Sequence, residues 1–338
     1  ATLSGCTYVT IVVDDGEVRT SAADRATTTS SASAPVPTSD ASAQSVAGTP
    51  DLGAGANLRG FRFFPADNPW NERVDGAAID PASDQLIASI GRDRTLHPDF
   101  GADWNGGPFG IPYVVVGRDQ PRVPVSFTWA DESDPGPYPI PPDAPVEGGA
   151  SSDGDRHILV LDRDANRLYE LFAARPDGRG GYTADSGAIF DLTKNALRPA
   201  GWTSADAAGL PILPGLVRYD EVAAGEIRHA LRFTARKTRR AYVAPATHWA
   251  SKDTSSGLPP MGMRVRLKAS FDVSSFPPQA RVVLVALQRY GMFLADNGSD
   301  WFLSGAPDAR WSDEQLRTLK RLRGADFEVI QLGRVVTP

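Results

Sequence analysis

The stretch DRHILVLDRDANRLYELFAA, residues 155–174, decides the fold. Two runs rich in Leu, Val, Ile and Tyr, 156–162 and 167–173, flank Arg163-Asp164-Ala165-Asn166, a four-residue turn of the kind that reverses a β-hairpin. If Asp162 faces Arg167, then Leu159 faces Glu170 and His157 faces Phe172. One face of the hairpin holds His157, Leu159, Leu161, Leu168, Glu170 and Phe172; the other holds Ile158, Val160, Tyr169 and Leu171. Both faces are apolar, so the hairpin is expected to be covered on both sides. His157 and Glu170 become diagonal neighbours, roughly 7–8 Å apart, which puts them within side-chain reach. A buried histidine and glutamate are either paired with each other or line a cavity.

Outward from this hairpin the pattern repeats. Runs at 227–235 and 240–245 across residues 236–239 predict a second hairpin, with Ala235 opposite Arg240. That register aims Ile227, His229, Leu231 and Phe233 inward and makes His229 and His248 diagonal neighbours. Arg228, Ala230, Arg232 and Thr234 share the other face. MFLADNGSDWFL, residues 292–303, predicts a third hairpin around a two-residue Asn297-Gly298 turn. Two helices follow other rules. Pro277-Pro278 opens QARVVLVALQRYG, with Val282, Val283, Ala286, Leu287 and Tyr290 on one face and Gly291 as the stop. Ser312-Asp313-Glu314-Gln315 is a capping box for a short helix through Leu322, with Gly324 before a strand at 327–332. The class implied is α+β: a mainly antiparallel sheet with a sandwich or barrel-like core and two or three short helices.

The chain of 338 residues has 41% hydrophobic residues, enough to bury a sizeable core, and the 32 Gly and 28 Pro favour a loop-rich sheet protein. A net charge of −6 gives no electrostatic reason for a nucleic-acid partner. Residues 20–57 are rich in Ser, Thr and Ala and hold no aromatic residue, so they read as a linker. They divide a segment at 1–19, with an apolar strand at Tyr8 to Val13, from one globular domain at 58–338. The one cysteine, Cys6, makes an intramolecular disulfide unattainable. No run of 18 apolar residues exists to span a membrane.

Candidate chemistry centres on LVRYDEVAAGEIRHALRF, residues 216–233, where Asp220 and Glu221 sit at the mouth of the strand that carries His229. Three of the four histidines, His157, His229 and His248, fall on inward strand positions; His97 sits in a loop. Two acid–base chemistries suit the set. Glu170 with Asp220 or Glu221 would serve as acid and base on a glycosidic bond, burial raising one of the two. Alternatively His229 with Tyr219 or Tyr242 would abstract and return protons, as a polysaccharide lyase requires. His157, His229, His248 and Glu170 could also ligate a metal, although no H-x-H or H-E-x-x-H spacing marks a site and no cofactor is specified. Tryptophans in loops (NPWNER, ADWNGGPFG, AGWTSAD, THWASKD) offer flat faces for sugar rings, with Trp202 and Trp249 beside the histidines as substrate-binding candidates together with His157 and His248.

Two resemblances bear on location. Leu3-Ser4-Gly5-Cys6 resembles the lipobox of bacterial lipoproteins, which implies a lipid anchor at Cys6 followed by a tether; otherwise it is a chance LSGC before an apolar strand. The run at 187–234, with ATHWAS at 246–251, PPMGMRVRLKASFD at 259–272 and YGMFLADNGSDWFLSGAPDARW at 290–311, resembles a widespread group of secreted bacterial proteins of unassigned function. That resemblance covers most of residues 60–330. It implies a secreted or cell-surface location and the company of carbohydrate-binding modules, but no catalytic residues. The expectation is therefore an envelope domain that cleaves extracellular polysaccharide, as a hydrolase or lyase. The alternative is a non-catalytic surface or filament protein whose N-terminal strand pairs with a neighbouring copy.

Overall fold

The structure, a computed structural model, describes residues 48–338. The Cys6 motif and the apolar run at Tyr8 to Val13 lie outside the described residues. Eleven strands build the two main sheets: β1 (Gly53–Ala54), β2 (His97–Asp99), β3 (Tyr113–Val116), β4 (Ile158–Asp162), β5 (Arg167–Phe172), β6 (Ser186–Asp191), β7 (Leu231–Ala235), β8 (Arg264–Leu267), β9 (Met292–Asn297), β10 (Phe302–Ser304) and β11 (Phe327–Val329). Among the described residues the α-helices are α1 (Ser83–Ile90), α2 (Tyr219–Ala224), α3 (Pro278–Arg289) and α4 (Asp313–Arg317). The first sheet runs β1-β3-β4-β5-β6 and the second β11-β8-β9-β7-β10-β2. Most neighbours are antiparallel, while β3 and β4, β7 and β9, and β10 and β2 are parallel. This is a sheet-rich α+β fold. Residues 48–57, which composition places in the linker, already carry β1, whose Gly53 and Ala54 pair with Val115 and Val114.

The β4–β5 hairpin has the expected register, Leu159 facing Glu170 and Asp162 facing Arg167. Its turn is held by the Asp162 carboxylate, which accepts from the Ala165 N–H at 2.9 Å, and by Asn166 at φ 51°, a left-handed position that asparagine tolerates. Alternation then sorts the side chains onto two cores. Leu159, Leu161 and Leu168 join the main core, which reaches Leu231, Phe233, Val265 and Leu294 of the second sheet. Ile158, Val160, Tyr169 and Leu171 pack with Tyr138 and Ile140 on the other side. Each such side chain taken fully out of water stabilises the fold by about 1.5–3 kcal/mol.

The second and third hairpins do not form, and one strand explains both. β7 has both edges occupied, pairing in parallel with β9 and antiparallel with β10. The segment 240–245 therefore has no edge to join, and Tyr242 instead bridges to Met261 and Val336. For the same reason β9 and β10 are not neighbours despite the Asn-Gly between them. The expected adjacency of His229 and His248 disappears with the second hairpin. β7 begins at Leu231, so His229 lies in the loop between α2 and β7. The face read as the outer one is covered as well: Arg232 is 3% exposed.

Candidate functional site

Residues 203–208 form a short loop that stitches three titratable groups together. Ser204 Oγ accepts from the Asp206 N–H at 2.9 Å and donates to the Leu210 carbonyl at 2.6 Å, which fixes the loop from inside. Gly209, at φ 72°, closes it; a Cβ there would stand 2.7 Å from the Trp202 carbonyl. From this frame the Ala205 carbonyl meets His157 Nε2 at 3.0 Å. The Asp206 carboxylate grips Arg232 through Nη2 at 2.9 Å and Nε at 3.2 Å. The Ala207 carbonyl meets His248 Nδ1 at 2.8 Å. Two of the three candidate histidines are thereby brought to one loop, across very different parts of the chain.

His157 is 4% exposed, and its Nδ1 lies 2.5 Å from Glu147 Oε2. Both ring nitrogens face acceptors, so both carry protons and the ring is a cation. Burial alone would lower the imidazole; the Glu147 carboxylate outweighs it and lifts the ring to about 9. Glu147 is held below the usual carboxylate range, against the effect of its own burial, by the same pair. Arg232 is likewise engaged at every nitrogen, because its third, Nη1, donates to Ser304 Oγ at 2.6 Å.

Three further carboxylates crowd this pair of cations. Ser304 on β10 is the register partner of Asp99 on β2, which brings Asp99 to the Arg232 side of the sheet. Asp99 is solvent-accessible, and the protein packed around it and the like charge of Glu147 lift it to about 6. Asp296, beside the bulge where β9 shifts register against β7, is lifted further, to about 8, by burial and by Asp206. Its hydrogen bond is to the Asn297 N–H at 2.6 Å. Asp155 is exposed, and its carboxylate lies with those of Glu147 and the His157 ring inside a 4.8 Å cluster. A metal bound there would take the place of the proton between His157 Nδ1 and Glu147 and leave the Nε2 contact with the Ala205 carbonyl intact; with that proton in place His157 and Glu147 form an ion pair. Among the described residues neither Asp99, Asp155 nor Asp296 has a salt-bridge partner.

The remaining sequence candidates are elsewhere. Glu170 is fully buried but does not pair with His157; its carboxylate accepts from the backbone N–H groups of Ile212 and Leu213 at 2.8–3.0 Å. It anchors the turn after the 203–208 loop, and burial lifts it to about 7 although those N–H groups oppose the rise. Glu221 and His229 do come together, at 3.0 Å, with Arg218 Nη2 2.8 Å from the same carboxylate. This is a separate buried network: the His229 Nδ1 meets the Ala230 carbonyl, and Arg218 stacks over Phe63. Burial works to raise Glu221, but Arg218 and His229 hold it below its usual range. Asp220 turns away to accept from the Leu58 N–H at 2.8 Å, and burial lifts it. His157, His229, His248 and Glu170 thus do not form one ligand set.

His248 is half-buried, its Nε2 3.9 Å from Glu132, and burial lowers it. It stacks on Trp249, which in turn lies parallel to Tyr242. Trp202 sits under the Arg198 guanidinium, and Trp129 stacks on Phe172 beside His157. His97, expected in a loop, opens β2 and stacks on Phe302. A groove of about 390 Å³ lies apart from all of these, walled by Pro108, Pro112, Pro145 and Pro307; its charged lining residue, Asp308, is bound to Arg310. It offers no acid–base pair.

Sequence reasoning missed Asp99, Glu147, Asp155, Asp206, Arg232 and Asp296 as site residues. One signal was available: Arg232 is a guanidinium in the middle of the strongly apolar run 230–235, where it has to find an anion. No family model, characterised protein or solved structure matches the chain.

Proposed function

We propose that the protein cleaves glycosidic bonds of an extracellular polysaccharide by acid–base chemistry, with Asp296 as proton donor and Asp99 as base. The observation that carries this reading is the placement of Asp99 and Asp296, free of ion-pair partners among the described residues, beside a loop that ties down Arg232 and His157. Burial raises both neighbouring aspartates, but Asp206 is bonded to the Arg232 guanidinium through two nitrogens, so Asp296 is the one that keeps its proton. Asp99 ionises above about 6 and Asp296 above about 8, so at neutral pH one is a base and the other an acid.

Hydrolysis suits the site better than elimination. A lyase acting on a uronate needs a cation on the substrate carboxylate. Each nitrogen of Arg232 and of His157 already has a protein partner, and His229 Nε2 is taken by Glu221. Half-buried rings of Trp129 and Trp249 flank the loop and can carry sugar faces. In this reading the lipobox-like Cys6 and the tract after it hold the domain at the bacterial envelope.

The test is release of reducing ends from a panel of polysaccharides by the full chain. Activity should peak near neutral pH and fall away below about 6 and above about 8. Asp296→Asn and Asp99→Asn should each lower the rate by about 10²–10⁴-fold with the circular dichroism spectrum unchanged. Wild-type rates in both variants would overturn the assignment.

A further inference from the structure

We infer that Glu147, Asp155 and His157 form a binding site for one divalent transition-metal ion of the zinc type, with the imidazole Nδ1 and the two carboxylates as ligands. This goes beyond the acid–base reading and does not depend on it. The three ligand atoms lie within 4.8 Å of one another, and all three residues come from one short stretch, EGGASSDGDRH at 147–157. One imidazole with two carboxylates suits zinc better than calcium or magnesium, which take oxygen ligands alone.

Two features outside the trio prepare it for a metal. The His157 Nε2–H is held by the Ala205 carbonyl at 3.0 Å, so a neutral ring keeps its lone pair at Nδ1, the nitrogen that faces Glu147. A backbone carbonyl on the far nitrogen is a usual partner for orienting a metal-bound histidine. Arg156, between two of the ligands, is 3% exposed and takes a left-handed φ of 51°. Its guanidinium donates to the carbonyls of Ala150 at 2.9 Å, Ser152 at 2.7 Å and Ala174 at 3.0 Å. The Glu147 N–H donates to the His157 carbonyl at 3.1 Å. The loop that carries Glu147 is thereby fastened to the backbone that carries the other two ligands, and the donors are assembled before an ion arrives.

Charge and access fit as well. With His157 protonated the trio carries one net negative charge, and exchanging the shared proton for a dication brings it to neutral. Nδ1 and Glu147 Oε2 are 2.5 Å apart across that proton. Ligands on a tetrahedral zinc stand about 3.3 Å apart, so the exchange asks for less than about 1 Å of movement by the Glu147 side chain. Asp155 is exposed, and among the described residues its carboxylate has neither a hydrogen-bond nor a salt-bridge partner. It gives the ion a way in from solvent and leaves the fourth position to water.

The test is calorimetric titration of the full chain, stripped of metal by a chelator, with zinc chloride. One zinc should bind per chain with a Kd of about 1 μM or tighter. One proton should leave with each zinc, read from the heats in buffers of different ionisation enthalpy. Asp155→Asn and Glu147→Gln should each weaken binding by about 100-fold or more, since each removes a ligand rather than an outer partner. Asp153→Asn, at an exposed acid of the same loop outside the trio, should change nothing, which separates chelation from the pull of an acidic loop on any dication. Cys6→Ser should likewise bind zinc as the parent does. In nitrogen NMR, zinc should take the His157 ring from two N–H groups to one, at Nε2, and leave His229 and His248 unchanged. The site is overturned by an absence of zinc binding, by parental affinity in folded Asp155→Asn and Glu147→Gln, by loss of binding in Cys6→Ser, or by a His157 ring that keeps both protons at saturating zinc.

Discussion

Glu147 turns a buried imidazole into a fixed cation, and the site is organised around that conversion. Replacing it by glutamine leaves His157 facing an amide and a carbonyl, in surroundings that by themselves lower the ring. In Glu147→Gln the imidazole should titrate below neutral pH instead of near 9, readable by proton NMR of the ring. The fold should lose about 3 kcal/mol at pH 6, where the uncompensated cation costs most; an unchanged His157 titration would mean that Asp155 supplies the counter-charge. At this scale the sequence was informative about direction and silent about partners. Inward orientation of His157, Glu170 and His229 could be read from the apolar residues around them, and all three are buried. Their partners could not, because Glu147, Ala205, Ile212 and Leu213 come from irregular segments whose positions depend on the whole chain. Glu221 and His229, eight residues apart and expected at one end of the same strand, do meet, but they belong to a structural network rather than to the carboxylates around Arg232.

Elements were legible wherever the signal was local. α3 runs from Pro278 to Arg289 as its prolines and apolar face require, and Gly291 follows at φ 65°. A Cβ on Gly291 would lie 2.2 Å from the Val265 carbonyl, which is backbone of β8 and cannot swing aside. Gly291→Ala should therefore cost more than the about 1–2 kcal/mol of left-handed strain and lower the urea midpoint accordingly. A midpoint equal to that of the parent would show that α3 and β8 can separate locally. The β4–β5 hairpin was legible for a similar reason, since a four-residue turn and matched strands leave one register. The hairpins around 236–239 and 297–298 failed because a turn signal says where a chain bends, not which strand takes the vacated edge. Here β7 sits between β9 and β10, a pairing that closes only after α3 has crossed over.

Across the whole molecule, the lifted carboxylates pull stability in one direction as pH rises. Asp99, Glu170 and Asp296 are lifted to about 6, 7 and 8, from ordinary values of 3.8, 4.5 and 3.8. Each keeps its proton in the fold at pH values where the unfolded chain has lost it, so raising the pH favours unfolding. His157 adds to this, because its stabilisation is complete below 6.5 and is lost as pH climbs through about 9. Glu147 and Glu221 are held low and act oppositely, but only in acid: their contribution is present above 4.5 and lost as pH falls below it. His97 and His248, held low by burial, add stability as pH rises to 6.5, so the decline should run from about pH 7 to pH 9, whereas a protein without lifted carboxylates holds a plateau. Urea midpoints at pH 7, 8 and 9 test this, and a midpoint that rises from 7 to 9 would contradict the crowding of carboxylates around Arg232. The same crowding is what an acid–base site requires, since a carboxylic acid stays protonated at neutral pH only where the fold makes its ionisation costly.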